Sequence, residues 1–171
     1  MVAGLVVPAR VSHPITVKQF EGLADYQAAV GGTIEAVDIK RLGLTLYVNE
    51  EGLLRQLELN SRATFLWWYH VPEARQRAML VGDAVFIGYP DDEGNTTDLP
   101  PGLLALFTEP GEFWVEVQWT PVDGWVRVLS DYNDYFDAIT WGMIANERFE
   151  PFQLKVVGQF GVSPIGGSPS G

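Results

Sequence analysis

Apolar and polar positions follow two periods along this chain. In "EFWVEVQW" (112–119), Phe113, Val115, Val117 and Trp119 alternate with Glu112, Trp114, Glu116 and Gln118, the period-two pattern of a half-buried strand. "TPVDG" then turns the chain into "WVRVLS", which completes a hairpin. "ITVKQF" (15–20), "TIEAVDI" (33–39), "LTLYV" (44–48) and "LLRQLEL" (53–59) read as further strands. The turns "RLG" and "NEEG" would join residues 33–59 into an antiparallel meander. "MLVGDAVFIGY" is a strongly apolar strand around Asp83, and "PFQLKVVGQF" is the last strand.

Helical signals are fewer. "LADYQAAVGG" gives two turns stopped by Gly31 and Gly32, and "NSRATFLWWYH" (60–70) opens on a capping residue and is ended by Pro72. On a helical wheel, residues 131–146 gather Tyr132, Tyr135, Phe136, Ile139 and Met143 into one stripe, suited to packing on the 112–119 sheet. Asp131, Asp134 and Asp137 fall on the other side, with Trp141 among them. The fold class is α+β: a mostly antiparallel sheet with two or three short helices. Residues 1–160 should form one compact domain in two halves (1–88 and 103–160), joined by a Pro-, Gly- and acid-rich loop at 89–102. Residues 161–171 have linker composition and are expected to be flexible. No internal repeat is present.

Charge divides the chain in the same way. Residues 1–82 carry eight acids and eight bases; residues 83–171 carry fourteen acids against Arg127, Arg148 and Lys155, and so hold the whole net charge of −11. That half is unsuited to nucleic-acid phosphates and suited to a basic partner surface. With 47% hydrophobic residues the chain can bury a core. No basic segment precedes a long apolar run at the N-terminus, and no run reaches the roughly 18 residues of a membrane span, so a cytoplasmic protein is expected.

The residue inventory excludes several chemistries. There is no cysteine, so disulfides, thiolate zinc sites and cysteine nucleophiles are ruled out. His13 and His70, the only histidines, lie too far apart for a zinc motif, and His70 is expected to be partly buried with one nitrogen satisfied. "DYNDYFDAITWG" begins like a calcium loop at Asp131 and Asn133 but then places Tyr135, Phe136 and Gly142 where the loop needs a ligand, glycine and glutamate. No phosphate-binding, dinucleotide or nucleophile-elbow motif occurs, and a triad built on Ser12, Ser61 or Ser130 would need His13 or His70, neither of which has a flanking signature. Asp83 reads as a strand-start residue accepting backbone hydrogen bonds. No enzyme activity, metal or cofactor is expected.

Over residues 31–88, "GGTIEAVDI", "LTLYVNEEG", "LNSRAT" and "VGDAVFIG" resemble an uncharacterised domain family of small proteins from actinobacteria, plasmids and bacteriophages. The resemblance implies a phage or mobile-element source and carries over no catalytic residue. The expected function is therefore non-enzymatic: an accessory protein of the bacterial host cytoplasm that binds and modulates a host protein, such as a DNA-binding protein. The expected contact surface is Asp131, Asp134, Asp137 and Trp141 with Asp91, Asp92 and Glu93, acids that could locally mimic DNA phosphates. One alternative is a nucleotide-sequestering protein, with Arg62, Arg75 or Arg77 on phosphate and Trp67 or Trp68 stacking. Another is a phage structural or assembly component.

Overall fold

The computed structural model describes residues 1–159; the expected flexible tail lies outside them. Five strands form the larger sheet: β1 (Val2–Val7), β2 (Thr16–Phe20), β3 (Ile34–Ile39), β4 (Leu44–Asn49) and β5 (Ala84–Gly88), in the order β2-β1-β5-β4-β3 with every pair antiparallel. Three more, β6 (Glu112–Gln118), β7 (Val126–Tyr132) and β8 (Gln153–Gln159), form a second antiparallel sheet in the order β7-β6-β8. The helices are α1 (Leu23–Val30), α2 (Ser61–His70), α3 (Pro101–Thr108) and α4 (Tyr135–Phe149). The class is α+β, with one helix more than the sequence suggested.

β5 explains the larger sheet. Ala84 and Phe86 join the main core, while Val85 and Ile87 join a smaller cluster with Phe20, Tyr26 and Val30 beneath α1. A strand buried on both faces belongs in the middle of a sheet. β5 accordingly takes the place beside β4 that the meander reading gave to residues 53–59, pairing Leu46 with Phe86 and Tyr47 with Val85. The displaced segment is a run of turns with Gln56 at φ 54° and with Leu53 and Leu54 exposed. Only Leu59 pairs, in an isolated bridge to Val81.

Helices α2, α3 and α4 lie between the sheets. α2 starts where Asn60 accepts a hydrogen bond from the Ala63 amide at 3.0 Å. The Asn60 amide group also donates to the Val7 and Gly82 carbonyls, tying the helix start to the ends of β1 and β5. α4 presses on the second sheet through Gly142, where an added Cβ would stand 3.4–3.6 Å from Val115, Leu154 and Val156. Its Phe136 meets Phe107 at 5.1 Å and Phe86 at 6.3 Å between ring centroids, so one continuous core joins the two sheets.

Both edges of the smaller sheet are protected. β8 pairs with β6 without interruption, and its Val156 amide donates outward to the Tyr69 hydroxyl of α2 at 2.9 Å. β7 carries two register irregularities against β6, and Asp131 sits at φ 70° beside one of them. Bulges of this kind twist an edge away from further pairing. They also correct the reading of residues 131–146 as one helix. Tyr132 still pairs with Phe113, and α4 begins only after Asp134, whose carboxylate accepts from the Asp137 amide at 3.0 Å.

Candidate functional site

The exposed flank of α4 is the most distinctive surface of the second sheet's half of the molecule. Asp137, Trp141, Ala145 and Phe149 recur every four residues, and side chains so spaced form a ridge along a helix. Trp141 is 52% exposed and Phe149 59%, with Ile144 exposed beside them. Trp119, Trp125, Val126 and Val128 are exposed on the neighbouring β6–β7 hairpin. Trp141 is exposed one turn after Asp137, because the opposite face of α4 is filled by Phe136, Ile139 and Met143.

The seven residues read as one acidic contact surface are not all together. Asp134 caps α4 and, with Asp137, faces the Arg62 guanidinium. Burial raises the Asp137 carboxyl above its ordinary range and Asp134 adds to this, with Arg62 opposing. Asp131 belongs to β7 and not to the helix. Asp91, Asp92 and Glu93 lie at the other end of the five-stranded sheet. β5 begins two residues after Gly82, which is bound to Asn60 near the Arg62 end, and leads to a loop closed by the Gly88–Thr97 bridge. Asp91 accepts the amides of Glu93 and Asn95, and the Asn95 bonds hold its carboxyl below the usual range. It closes a turn of its own, and this acidic cluster is separate from that at α4.

The alternative ligand set does not converge. Arg62 is buried, and its Nη2 donates to the carbonyls of Pro8, Arg10 and His13 at 2.6, 2.9 and 3.1 Å. Burial pulls its pKa below the ordinary value, while Asp134, Asp83 and Asp137 oppose the shift. The side chain is a clamp on the chain after β1 and not a phosphate ligand. Arg62→Met is expected to lower unfolding free energy by about 2 kcal/mol in urea titration, because three part-buried carbonyls lose one charged donor.

Arg75 lies beyond the opposite end of α2, its Nε donating to the Trp68 carbonyl at 2.8 Å. The Trp68 indole is tied to the Ala78 carbonyl at 2.8 Å and its ring sits edge-on to Phe65, while Trp67 packs partly buried against the core. Arg77 is exposed. Arg75 does line a cleft of about 340 Å³ with Arg41, Tyr69, Asn146, Glu147 and Glu150, where the end of α2 meets the end of α4. Two cations and two anions share this cleft, so it is not specifically a phosphate site. Asp83 is exposed and accepts the Ala9 amide at 2.9 Å.

The outer face of the smaller sheet holds a feature that the sequence reading missed. Arg127 lies 4.0 Å from the Trp114 ring centroid, and Lys155 lies 4.1 Å from that of Trp125 while pairing with Glu116 at 3.1 Å. Arg148 stands over Phe149 at 5.7 Å. All three cations of residues 83–171 therefore sit over aromatic rings. The pairing of β6 with β7 and β8 in register sets Glu116 opposite both Arg127 and Lys155. Once the strands were aligned, that was the available signal.

The family model "Domain of unknown function (DUF3846)" matches residues 3–112, more than half of the chain. The chain belongs to this family. No curated protein and no solved structure matches it. The DUF3846 region spans the five-stranded sheet with α1, α2 and α3, and ends at the first residue of β6. It is longer than the 31–88 resemblance and includes the 91–93 acids. The smaller sheet and α4, with Trp141 and the cation–aromatic pairs, lie almost wholly beyond it. Among the described residues no cluster of metal-binding side chains occurs, and no helix is long and apolar enough to cross a membrane.

Proposed function

We propose that this chain is a non-enzymatic binding protein, an accessory protein of a phage or other mobile element, that engages a host protein through the part appended to its DUF3846 region. The observation that carries this reading is the exposed flank of α4, where Trp141 is 52% exposed one turn after Asp137. A tryptophan held by a rigid helix and rimmed with charge is the composition of an interface anchor. Source and host enter only through the family resemblance. The acids are divided between two ends of the larger sheet, so the reading rests on an apolar anchor with electrostatic steering and not on a phosphate-like row.

Trp141→Ala tests it, because a half-exposed side chain contributes little to folding. Thermal stability should change by no more than about 2 °C, while capture of a partner by the tagged chain from a lysate of the bacterial host should be lost. Equal capture by the variant, or no capture by either, would sink the proposal. The cleft beside Arg75 favours a second reading, a small-ligand binder. It predicts thermal stabilisation by a small molecule, abolished by Arg75→Met and unaffected by Trp141→Ala.

A further inference from the structure

The cleft of about 340 Å³ lies where two helix ends meet, and Arg75 is its most constrained charge. Pro72 stops α2, and Arg75 in the turn that follows donates its Nε to the Trp68 carbonyl. That carbonyl is one of those the last turn of a helix leaves without an internal partner. The bond uses one of the five guanidinium donors. Among the described residues the two Nη groups have no hydrogen-bonding partner, and no ion pair includes Arg75. Burial pulls its pKa below the ordinary value, with Glu147, Tyr69 and Glu73 opposing the shift. A partly buried guanidinium with unspent donors favours a ligand that supplies acceptors.

The end of α4 supplies the opposite charge. The helix stops at Phe149, where Glu150 takes the left-handed conformation at φ 46° and Pro151 leads into β8. Asn146 and Glu150, four residues apart, share one face of this helix end. Glu147 accepts from the Gln76 side chain, while the side chains of Asn146 and Glu150 make no hydrogen bond among the described residues. Pro72, Pro151 and Phe152 add apolar surface, and Phe152 is 49% exposed. Arg41 and Arg75 belong to the DUF3846 region, whereas both glutamates and Phe152 belong to the part beyond it. The cleft is therefore complete only where the two parts meet.

A purely anionic ligand would meet Glu147 and Glu150, and a purely cationic one Arg41 and Arg75. We propose that the cleft binds a small zwitterion with an apolar body, a free α-amino acid, its carboxylate on Arg75 and Arg41 and its ammonium group on Glu147 and Glu150. The apolar side chain lies against Pro72, Pro151 and Phe152. This rests on the reading of the cleft as a small-ligand site and names the class of ligand. The volume agrees, since about 340 Å³ is at the small end of the range for ligand pockets.

The test is isothermal titration calorimetry of the full chain with L-phenylalanine and L-leucine, each beside its two half-molecules. These are 3-phenylpropanoate and 2-phenylethylamine for the first, and 4-methylpentanoate and 3-methylbutylamine for the second. An amino acid should bind saturably at millimolar concentration. Its half-molecules should bind at least about tenfold more weakly, since hydrogen bonding to a charged group is a tenfold effect or more. Arg75→Met should weaken the amino acid by at least about tenfold and erase its preference over the amine. Glu147→Gln combined with Glu150→Gln, both at exposed positions, should erase the preference over the carboxylic acid and keep that over the amine. Loss of one preference with retention of the other is an effect that general damage to the fold does not produce. No saturable binding of either amino acid, a half-molecule that binds equally well, or unchanged preferences in both variants would overturn the proposal. Thermal stabilisation by inorganic phosphate that Arg75→Met abolishes, with no response to the amino acids, would also overturn it while leaving the small-ligand reading in place.

Discussion

Phe136→Ala should cost about 4 kcal/mol of unfolding free energy in urea or guanidinium titration, a large part of the stability of a domain this size. Phe136 is 1% exposed, and its ring meets Phe86 of the larger sheet, Phe107 of α3 and Tyr135 of its own helix. Removing it opens a cavity among aromatic side chains from three elements that are far apart in sequence. Such rings cannot collapse into the space without moving the helix that carries them. The unfolding should remain one cooperative transition, because the same core cluster contains Phe86, Val115 and Leu154. A loss below about 1 kcal/mol, or a transition that splits in two, would show that α4 and the second sheet are an independent attachment.

The second large effect concerns His70. Its ring is 4% exposed, lies 4.8 Å from Tyr69 centroid to centroid, and neither nitrogen has a hydrogen-bonding partner among the described residues. This departs from the expectation of one satisfied nitrogen: the helix turns the imidazole into the protein interior, where no carbonyl or hydroxyl stands within reach. Burial, and secondarily the charge of Arg41, lowers its pKa to about 3 from an ordinary 6.5. Below about pH 6.5 the unfolded chain takes up a proton that the folded chain refuses until about pH 3. Stability therefore falls as pH drops through this window, by up to about 4 kcal/mol at its lower end. His70→Leu should flatten the acid side of the stability profile. It should also raise stability at pH 7.5 by about 1 kcal/mol, since two buried polar atoms are replaced by apolar ones. Urea midpoints at pH 7.5 and 4.5 for both proteins decide it. An unchanged slope in the variant, or a less stable variant at pH 7.5, would contradict the account.

Local signals in this chain were read well where one face of an element meets one environment. The alternation of 112–119 became β6, the Asn60 cap began α2, and the stripe of Phe136, Ile139 and Met143 became the buried face of α4. They failed where a distant partner decides. "VAGLVV" carries no alternation because Leu5 and Val7 face the main core while Val2 and Val6 face the cluster beneath α1, and at Gly4 an added Cβ would lie 2.6 Å from the Phe86 carbonyl oxygen. "PGLLALFT" became α3 because Pro101 starts it and Leu103, Leu106 and Phe107 bury its inner face; two prolines beside an acidic loop hid that periodicity.

The candidate site divides along the same line. The place of Trp141 outside the apolar stripe of α4 was visible because a helix converts spacing into direction without help from the rest of the fold. The roles of Arg62, Asp134 and Asp91 were not, because hydrogen bonding to a carbonyl cluster, a helix end or a turn consumes a charge that composition counts as available.

By itself, the sequence determined the α+β class, the absence of cysteine chemistry and the acidic character of the second half. The tertiary structure alone decided which strand fills the middle of the larger sheet, which charges are spent internally, and that the ends of α2 and α4 meet at a cleft of mixed charge. Periodicity and composition act along a few turns of chain. Strand order, burial of charge and concavity depend on contacts between residues tens of positions apart.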